Sequence, residues 1–378
     1  MSPRSRRSES AGRWLPLAAV LALSTACATA PASSLRPAPG SPAEPAPTTT
    51  RLHVAEQWRS ESVVASGGFA APYDYGPTVL AEAGRYRAWW CSQLPGIGPD
   101  GDDVLHAESD DLRGDFATAG GASAVPVFNG RPGGFDAMHT CDPSVLKTGD
   151  RYYLYYTGAA GDHAHGNAIG VASGPDGLAW RREAAGEPIV TPSAAVRRSN
   201  DYGAGQPSAL YLDGWFYLMF TDTTAAGAGW NGAGQFVQRA RDPAFTDRVQ
   251  ALTQSGFEPV GPDPRIRGRS VVDAFSADWM WVDALQAFAI AHQTAEGTTI
   301  TFWDRGFTRH PYEPVVLPGP WQEGPGLVRA ADGHAPVSEV DSRGTVPIEL
   351  LRATTANPAP TGIRSTGVGV SEVDELDD

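Results

Sequence analysis

Short runs of alternating apolar and polar residues, each broken by Gly, Pro or Asp, fill the chain from Arg51 onwards. No long stretch keeps the spacing of an amphipathic helix. Alternation with a period of two sends successive side chains to opposite faces of a strand, so the pattern predicts an all-β fold. The runs also share a register. With Asp142 as position zero, one phrase recurs five times: "GPTVLAEAGRYRAWW" from Gly76, "DPSVLKTGDRYYLYY" from Asp142, "QPSALYLDGWFYLMF" from Gln206, "DWMWVDALQAFAIAH" from Asp278 and "GPGLVRAADGHAPVS" from Gly324. Pro follows position zero in four of the five copies. Position plus four is Leu80, Leu146, Leu210, Val282 and Val328; position plus ten is Tyr86, Tyr152, Phe216 and Phe288, and only His334 breaks the series.

Copies separated by 66, 64, 72 and 46 residues, each with a second pair of strand-like runs, suit the four-stranded blade of a propeller. The second pair is visible in "VLHAESDDL" (Val104 to Leu112), "NAIGVASGPDGLAW" (Asn167 to Trp180) and "FVQRARDPAF" (Phe236 to Phe245). The expectation is a five-bladed β-propeller over residues 51–370, its ring closed by the run Arg51 to Trp58 or by Gly362 to Val370. The segment after Leu351 is expected to hold one strand and then an acidic, disordered tail, 371–378.

In such a ring the innermost strand of every blade lines the axis, and the residue at its entrance points to a shared hub. Position zero carries an acid at Asp142 and Asp278; Glu323 stands one residue before it, Asp74 two before and Asp201 five before. Tyr75, His139 and Gln206 lie on the same entrance segments. Acids collected around one hole supply what glycoside cleavage needs: a protonated carboxyl for the leaving oxygen and an ionised one to activate water or attack the sugar. Crowding and burial separate their proton affinities. Aromatic rings stack on the C–H faces of sugars, and Trp230, Trp279, Trp281, Trp303 and Trp321 fall in or near segments feeding this end; Trp230 and Trp279 are the first choices as ligand-facing. An Asp before Pro also caps turns through its own oxygen, so a structural role for Asp142 or Asp278 stands beside the chemical one.

Through "CDPSVLKTGDRYYLYYTG", "AIGVASGPDGLAW" and "EGPGLVRAADGH", the chain from Tyr73 to about Val337 resembles the five-bladed propeller glycoside hydrolases, especially the family forty-three arabinanases and xylosidases and their invertase-like relatives. The resemblance implies Asp142, at the clearest D-P entrance, as general base, Asp278 as a tuning acid, and Glu323, in the chain's one E-G-P, as general acid. It also implies inversion at the sugar carbon. The family's first D-P lies in the first blade, where this chain reads "YDYGPTV", and the third copy reads "GAGQPSA", with Gln206 where an acid could stand, so the assignment needs a circular shift of blade order. Asp74, Asp142 and Asp201 form the alternative set. Two further readings stay open: a catalytically silent glycan-binding propeller, and a phosphorylase.

The formal charge is −14; the leader's four Arg and one Glu contribute +3 of it, so the remainder carries −17. That excludes polyanions, nucleic acid among them, as partners. Arg4, Arg6, Arg7 and Arg13 precede and flank "WLPLAAVLALSTA", which ends in "LSTAC"; residues 1–26 read as a lipoprotein signal peptide with Cys27 as the lipidated residue. Residues 27–50, rich in Pro, Ala, Ser and Thr, read as a tether. The expectation is therefore an exported protein, at the cell surface or in the periplasm, touching the membrane only through its lipid. Cys91 and Cys141 remain, and in an exported chain two cysteines predict a disulfide. "DHAHG" (His163, His165) and "PDGDD" (Pro99 to Asp103) read as polar turns, so no metal or cofactor is expected, and the partner is a carbohydrate bound by a monomer.

Overall fold

Each repeat folds as an antiparallel meander. The computed structural model describes residues 49–161, 165–196, 202–229, 233–260, 267–319, 322–337, 345–356 and 359–372. After β1 (Leu52–Arg59) come β2 (Asp74–Glu82), β3 (Arg85–Ser92), β4 (Asp103–Ser109) and β5 (Val125–Phe128), the first blade. The second is β6 (His139–Thr148), β7 (Arg151–Ala159), β8 (Ala168–Gly174) and β9 (Arg181–Arg182). The third is β10 (Ala204–Leu212), β11 (Trp215–Asp222), β12 (Gln235–Ala240) and β13 (Gln250–Thr253), extended by β14 (Gly256–Pro259). The fourth is β15 (Ala277–Val282), β16 (Ala287–Thr294), β17 (Gly297–Asp304) and β18 (Val315–Pro318).

The fifth blade is built from both ends of the described chain: β19 (Gly326–Arg329), β20 (Val346–Ala356), β21 (Pro360–Glu372), then β1 against β21. Both candidate closing runs are thus used, side by side. The segment after Leu351 holds the end of β20 and all of β21. That strand runs two residues past the expected boundary, to Glu372, whose carboxylate accepts a 2.6 Å hydrogen bond from the Tyr312 hydroxyl. Inner strands β2, β6, β10, β15 and β19 touch in cyclic order, and two parallel residue pairs, Val328 with Val79 and Arg329 with Leu80, join the last blade to the first. The fold is an all-β, five-bladed propeller.

The repeat's apolar positions are the reason the ring closes. All five residues at position plus four are 0–1 % exposed, and the core lies in five wedges, one between each pair of neighbouring blades. Leu80, Trp89 and Val104 of the first blade meet Val145, Leu154 and Ala172 of the second, for example. Each large side chain removed from water this way contributes about 1.5–3 kcal/mol.

Position zero has a geometry of its own. Gly76, Asp142, Gln206 and Gly324 all take positive φ, between 47° and 63°. The strand register slips there in the first three blades, between Tyr75 and Thr78, Cys141 and Ser144, Gly205 and Ser208. The position-zero residue and its Pro form a bulge: Pro has no N–H for the ladder, and the bulge re-aims the side chain towards the axis. At the hub these backbones nearly touch. A Cβ added to Gly324 would lie 2.5 Å from the Gly76 Cα, which only glycine permits.

Candidate active site

A cavity of about 230 Å³ opens above the hub, with Asp142, Glu323, Asp102, His139 and Gln206 in its walls. Tyr75, Tyr202 and Phe275 supply its aromatic surface. Asp142 reaches it from the second-blade bulge, where the Tyr202 hydroxyl donates a 3.0 Å hydrogen bond to Oδ2. Glu323 enters from the residue before Gly324, at the entrance to β19, and the Gln206 amide donates to its Oε1 at 2.9 Å. The Gln at position zero of the third blade therefore holds the Glu of the fifth.

Both carboxyls have raised proton affinity. Burial, reinforced by the charge of Asp142 and then of Asp102, pushes Glu323 up to about 7 against the Gln206 hydrogen bond. Burial pushes Asp142 up to about 6, opposed by hydrogen bonds from Thr157 and Tyr202. Near neutrality one group thus retains a proton that the other has lost, the pairing that acid–base chemistry requires. Burial also raises Tyr75 and Tyr202 well above the usual phenol range, so both stay hydrogen-bond donors.

Other expected site residues lie elsewhere. Asp278 lines a narrow axial cavity of about 30 Å³ beneath the chamber, beside Asp142, and is not in the chamber wall. The fourth copy has no Pro, so no bulge forms: Asp278 pairs in register with Ala291, and its carboxylate binds the Leu327 N–H at 2.7 Å, the Ser208 hydroxyl and Arg329. Asp74 is 4 % exposed and turned away from the chamber, because strand alternation that sends Tyr75 inward sends Asp74 to the opposite face. There it accepts hydrogen bonds from the Gly67 N–H and the Trp90 indole. Trp279 is fully buried between the third and fourth blades, stacked on Phe288, its indole N–H on the Ser208 carbonyl. Trp281 is core as well, and the indole N–H of Trp303 is held by the Val271 carbonyl. Inner strands bury both faces, so tryptophans there pack against neighbouring blades. Cys27, Asp201, Trp230, Trp321, His163 and residues 373–378 lie outside the described residues.

Asp102, Tyr202, Asn167, Thr157 and Phe275 were not expected in the cavity wall. Asp102 sits in the "PDGDD" segment, just before β4, and third-strand entrances share no motif that would mark it.

Cys91 of β3 and Cys141 of β6 form the expected disulfide. It fastens the first blade to the second at the residue preceding Asp142, and the Tyr75 hydroxyl lies 3.2 Å from the Cys141 sulfur. Replacing both cysteines by Ser opens a link spanning 50 residues and is expected to cost about 4 kcal/mol, read as a lower midpoint in thermal or denaturant unfolding.

No family model and no curated protein matches the chain. Solved structures do. A family 117 glycoside hydrolase of the marine bacterium Zobellia galactanivorans superposes with a TM-score of 0.53 at 14 % identity, over 87 % of this chain and 93 % of its own. A second structure, described as a glycoside hydrolase, gives 0.52 at 13 %, over 86 % and 93 %. The catalytic domain of a GH62 α-L-arabinofuranosidase of Coprinopsis cinerea gives 0.47 at 11 %, over 86 % and 98 %. At these identities the likeness is one of fold, the propeller that carries glycoside hydrolases.

Proposed function

We propose that the protein is a glycosidase that cleaves a glycosidic bond of an oligosaccharide or polysaccharide by acid–base catalysis at the hub. The observation that carries this is the pair in the chamber: Glu323, whose proton affinity lies near neutrality, and Asp142, whose lies lower, in one aromatic-lined cavity. Glu323 protonates the departing glycosidic oxygen while Asp142 draws a proton from water attacking the sugar carbon, the inverting course. Gln206 holds the acid, Tyr202 holds the base, and Tyr75 and Phe275 offer ring faces to the sugar. The fold shared with glycoside hydrolases supports the reading. The lipidated Cys27 and its tether are part of the proposal, placing the enzyme outside the cell as a monomer anchored by its lipid; no helix among the described residues is long and apolar enough to cross a membrane.

The test is release of reducing sugar from a panel of arabinan, xylan and mannan oligosaccharides and aryl glycosides. Binding without release would replace the enzyme by a glycan-binding module; a rate that requires phosphate would replace hydrolysis by phosphorolysis.

The same pair sets the pH dependence. Below about 6 the base Asp142 takes up its proton and kcat/KM falls; above about 7 the acid Glu323 loses its own and kcat/KM falls again. A narrow bell with its maximum between these values is the expected profile. On a dinitrophenyl glycoside, whose leaving group needs no proton, the alkaline limb is expected to flatten.

A further inference from the structure

We propose that the outer edge of the fifth blade, where it meets the fourth, binds an oxyanion: the carboxylate of an acidic sugar, or inorganic sulfate or phosphate. The inference is independent of the glycosidase reading and uses none of the hub residues.

Three arginines share one face of the fifth blade. Arg352 of β20 stands directly opposite Arg364 of β21, and Arg59 of β1 stands opposite Thr366, two residues along from Arg364. Residues paired across strands lie on the same side of a sheet, and so do residues two apart on one strand. Thr366 is paired in turn with Leu350, which belongs to the same core wedge as Leu317 of the fourth blade. The arginine face is therefore the one turned to that blade. Like charges directly opposite one another destabilise a sheet, and a third on the diagonal adds to the repulsion.

Among the described residues no carboxylate pairs with any of the three, and every acceptor they find is neutral. Arg352, 2 % exposed, donates to the Thr298 hydroxyl at 2.6 Å, the Pro318 carbonyl at 3.3 Å and the Leu317 carbonyl at 3.4 Å. Arg59 donates to the same Pro318 oxygen at 2.7 Å, so two cations converge on one neutral acceptor. Arg364 donates to the Glu61 and Ser60 carbonyls at 2.9 and 3.3 Å. Burial, and then the charge of Arg59, pull Arg352 down to about 10. Beside this cluster lies a cavity of about 220 Å³, with Gln57, Arg59, Leu317, Pro318 and Thr366 in its walls. Gly319 gives the Arg59 guanidinium its place, because an added Cβ there would strike Nη2. A guanidinium has five N–H donors, and Arg59 uses one of them on the protein. The remaining fork matches the paired oxygens of a carboxylate, sulfate or phosphate. A buried cation lacking a counter-charge is costly, and an anion seated against Arg59, with Arg352 behind the Pro318 wall, removes that cost.

The test is calorimetric titration and thermal unfolding of the intact protein with sodium sulfate, sodium phosphate and sodium glucuronate, ionic strength being held constant with sodium chloride. At least one of them is expected to bind and to raise the melting midpoint of the wild type. Arg59→Gln is expected to weaken that binding about ten-fold or more, the loss of one hydrogen bond to a charged group. If that variant does not fold, Arg59→Lys decides: it keeps the charge and loses the fork, and several-fold weaker binding supports the site. Glucuronate binding tighter than both inorganic ions assigns the site to acidic sugars; the reverse order assigns it to a free anion. An equal rise in wild type and variant is an adventitious ion only, screening the protein's negative charge, and overturns the proposal. So does the absence of binding by all three anions. The variant leaves Asp142 and Glu323 in place, so turnover of any glycoside the wild type cleaves is expected to persist. A wild type inactive on every glycoside would sink the glycosidase reading and leave these binding results standing.

Discussion

Glu323→Gln is expected to lower kcat on unactivated glycosides by about 10²–10⁴-fold, the usual contribution of a general acid, and to make the folded protein more stable at pH 8. Both effects come from one placement. Burial and the neighbouring charge of Asp142 raise the carboxyl from 4.5 to about 7. A folded-state value above the unfolded one means that the stabilisation linked to protonation is fully present below about 4.5. It is lost as pH rises through about 7, so at pH 8 the folded protein carries the whole cost of an ionised, poorly solvated group. A displacement of that size corresponds to about 3 kcal/mol. Gln fills the same space without the charge and can still hydrogen-bond to Gln206. Thermal melts at pH 8 and pH 4 check it: the variant's advantage should be present at the first and absent at the second. An active Glu323→Gln enzyme would remove the acid from the mechanism.

Arg329→Met should produce a loss of stability as large as that of opening the disulfide. The guanidinium, fully buried at the foot of the hub, donates to the Ala209 carbonyl at 2.9 Å, the Trp279 carbonyl at 3.3 Å and the Thr78 hydroxyl at 2.7 Å, and it reaches Ser144 Oγ at 3.4 Å. Asp278 Oδ1 lies 3.4 Å from it. One side chain of the fifth blade thus binds all four others. Met removes these bonds and leaves the Asp278 carboxylate buried without its counter-charge, a loss of about 3–5 kcal/mol. Adding Asp278→Asn to Arg329→Met should recover part of it, and a double-mutant cycle on unfolding midpoints measures that coupling. Additive losses would show that the pair is not a unit.

Where the repeat was faithful, the sequence read correctly. The D-P phrase marks a bulge that turns Asp142 to the hub, and the E-G-P phrase at the last copy brings Glu323 to the same cavity. The fourth copy misled because its apolar positions survive while its Pro does not; register alone put Asp278 in the series, and a missing bulge took it out of the chamber. Trp279 misled for a related reason, since on an innermost strand both faces are packed and an aromatic residue there is more useful as a wedge than as a platform. Asp102 and Tyr202 carry no recurring signal. They reach the cavity through how one blade leans on the next, which is a property of the assembled ring and not of any single segment.

The left-handed backbone at four of the five hub positions also limits the alphabet from which this centre can be composed. Side chains branched at Cβ are strained there, and glycine, asparagine and aspartate are the comfortable letters. On such a frame new chemistry comes more readily from the flanking residue, as with Glu323, or from a neighbouring strand, as with Asp102, than from the innermost ring, whose left-handed positions here hold Gly76, Asp142, Gln206 and Gly324.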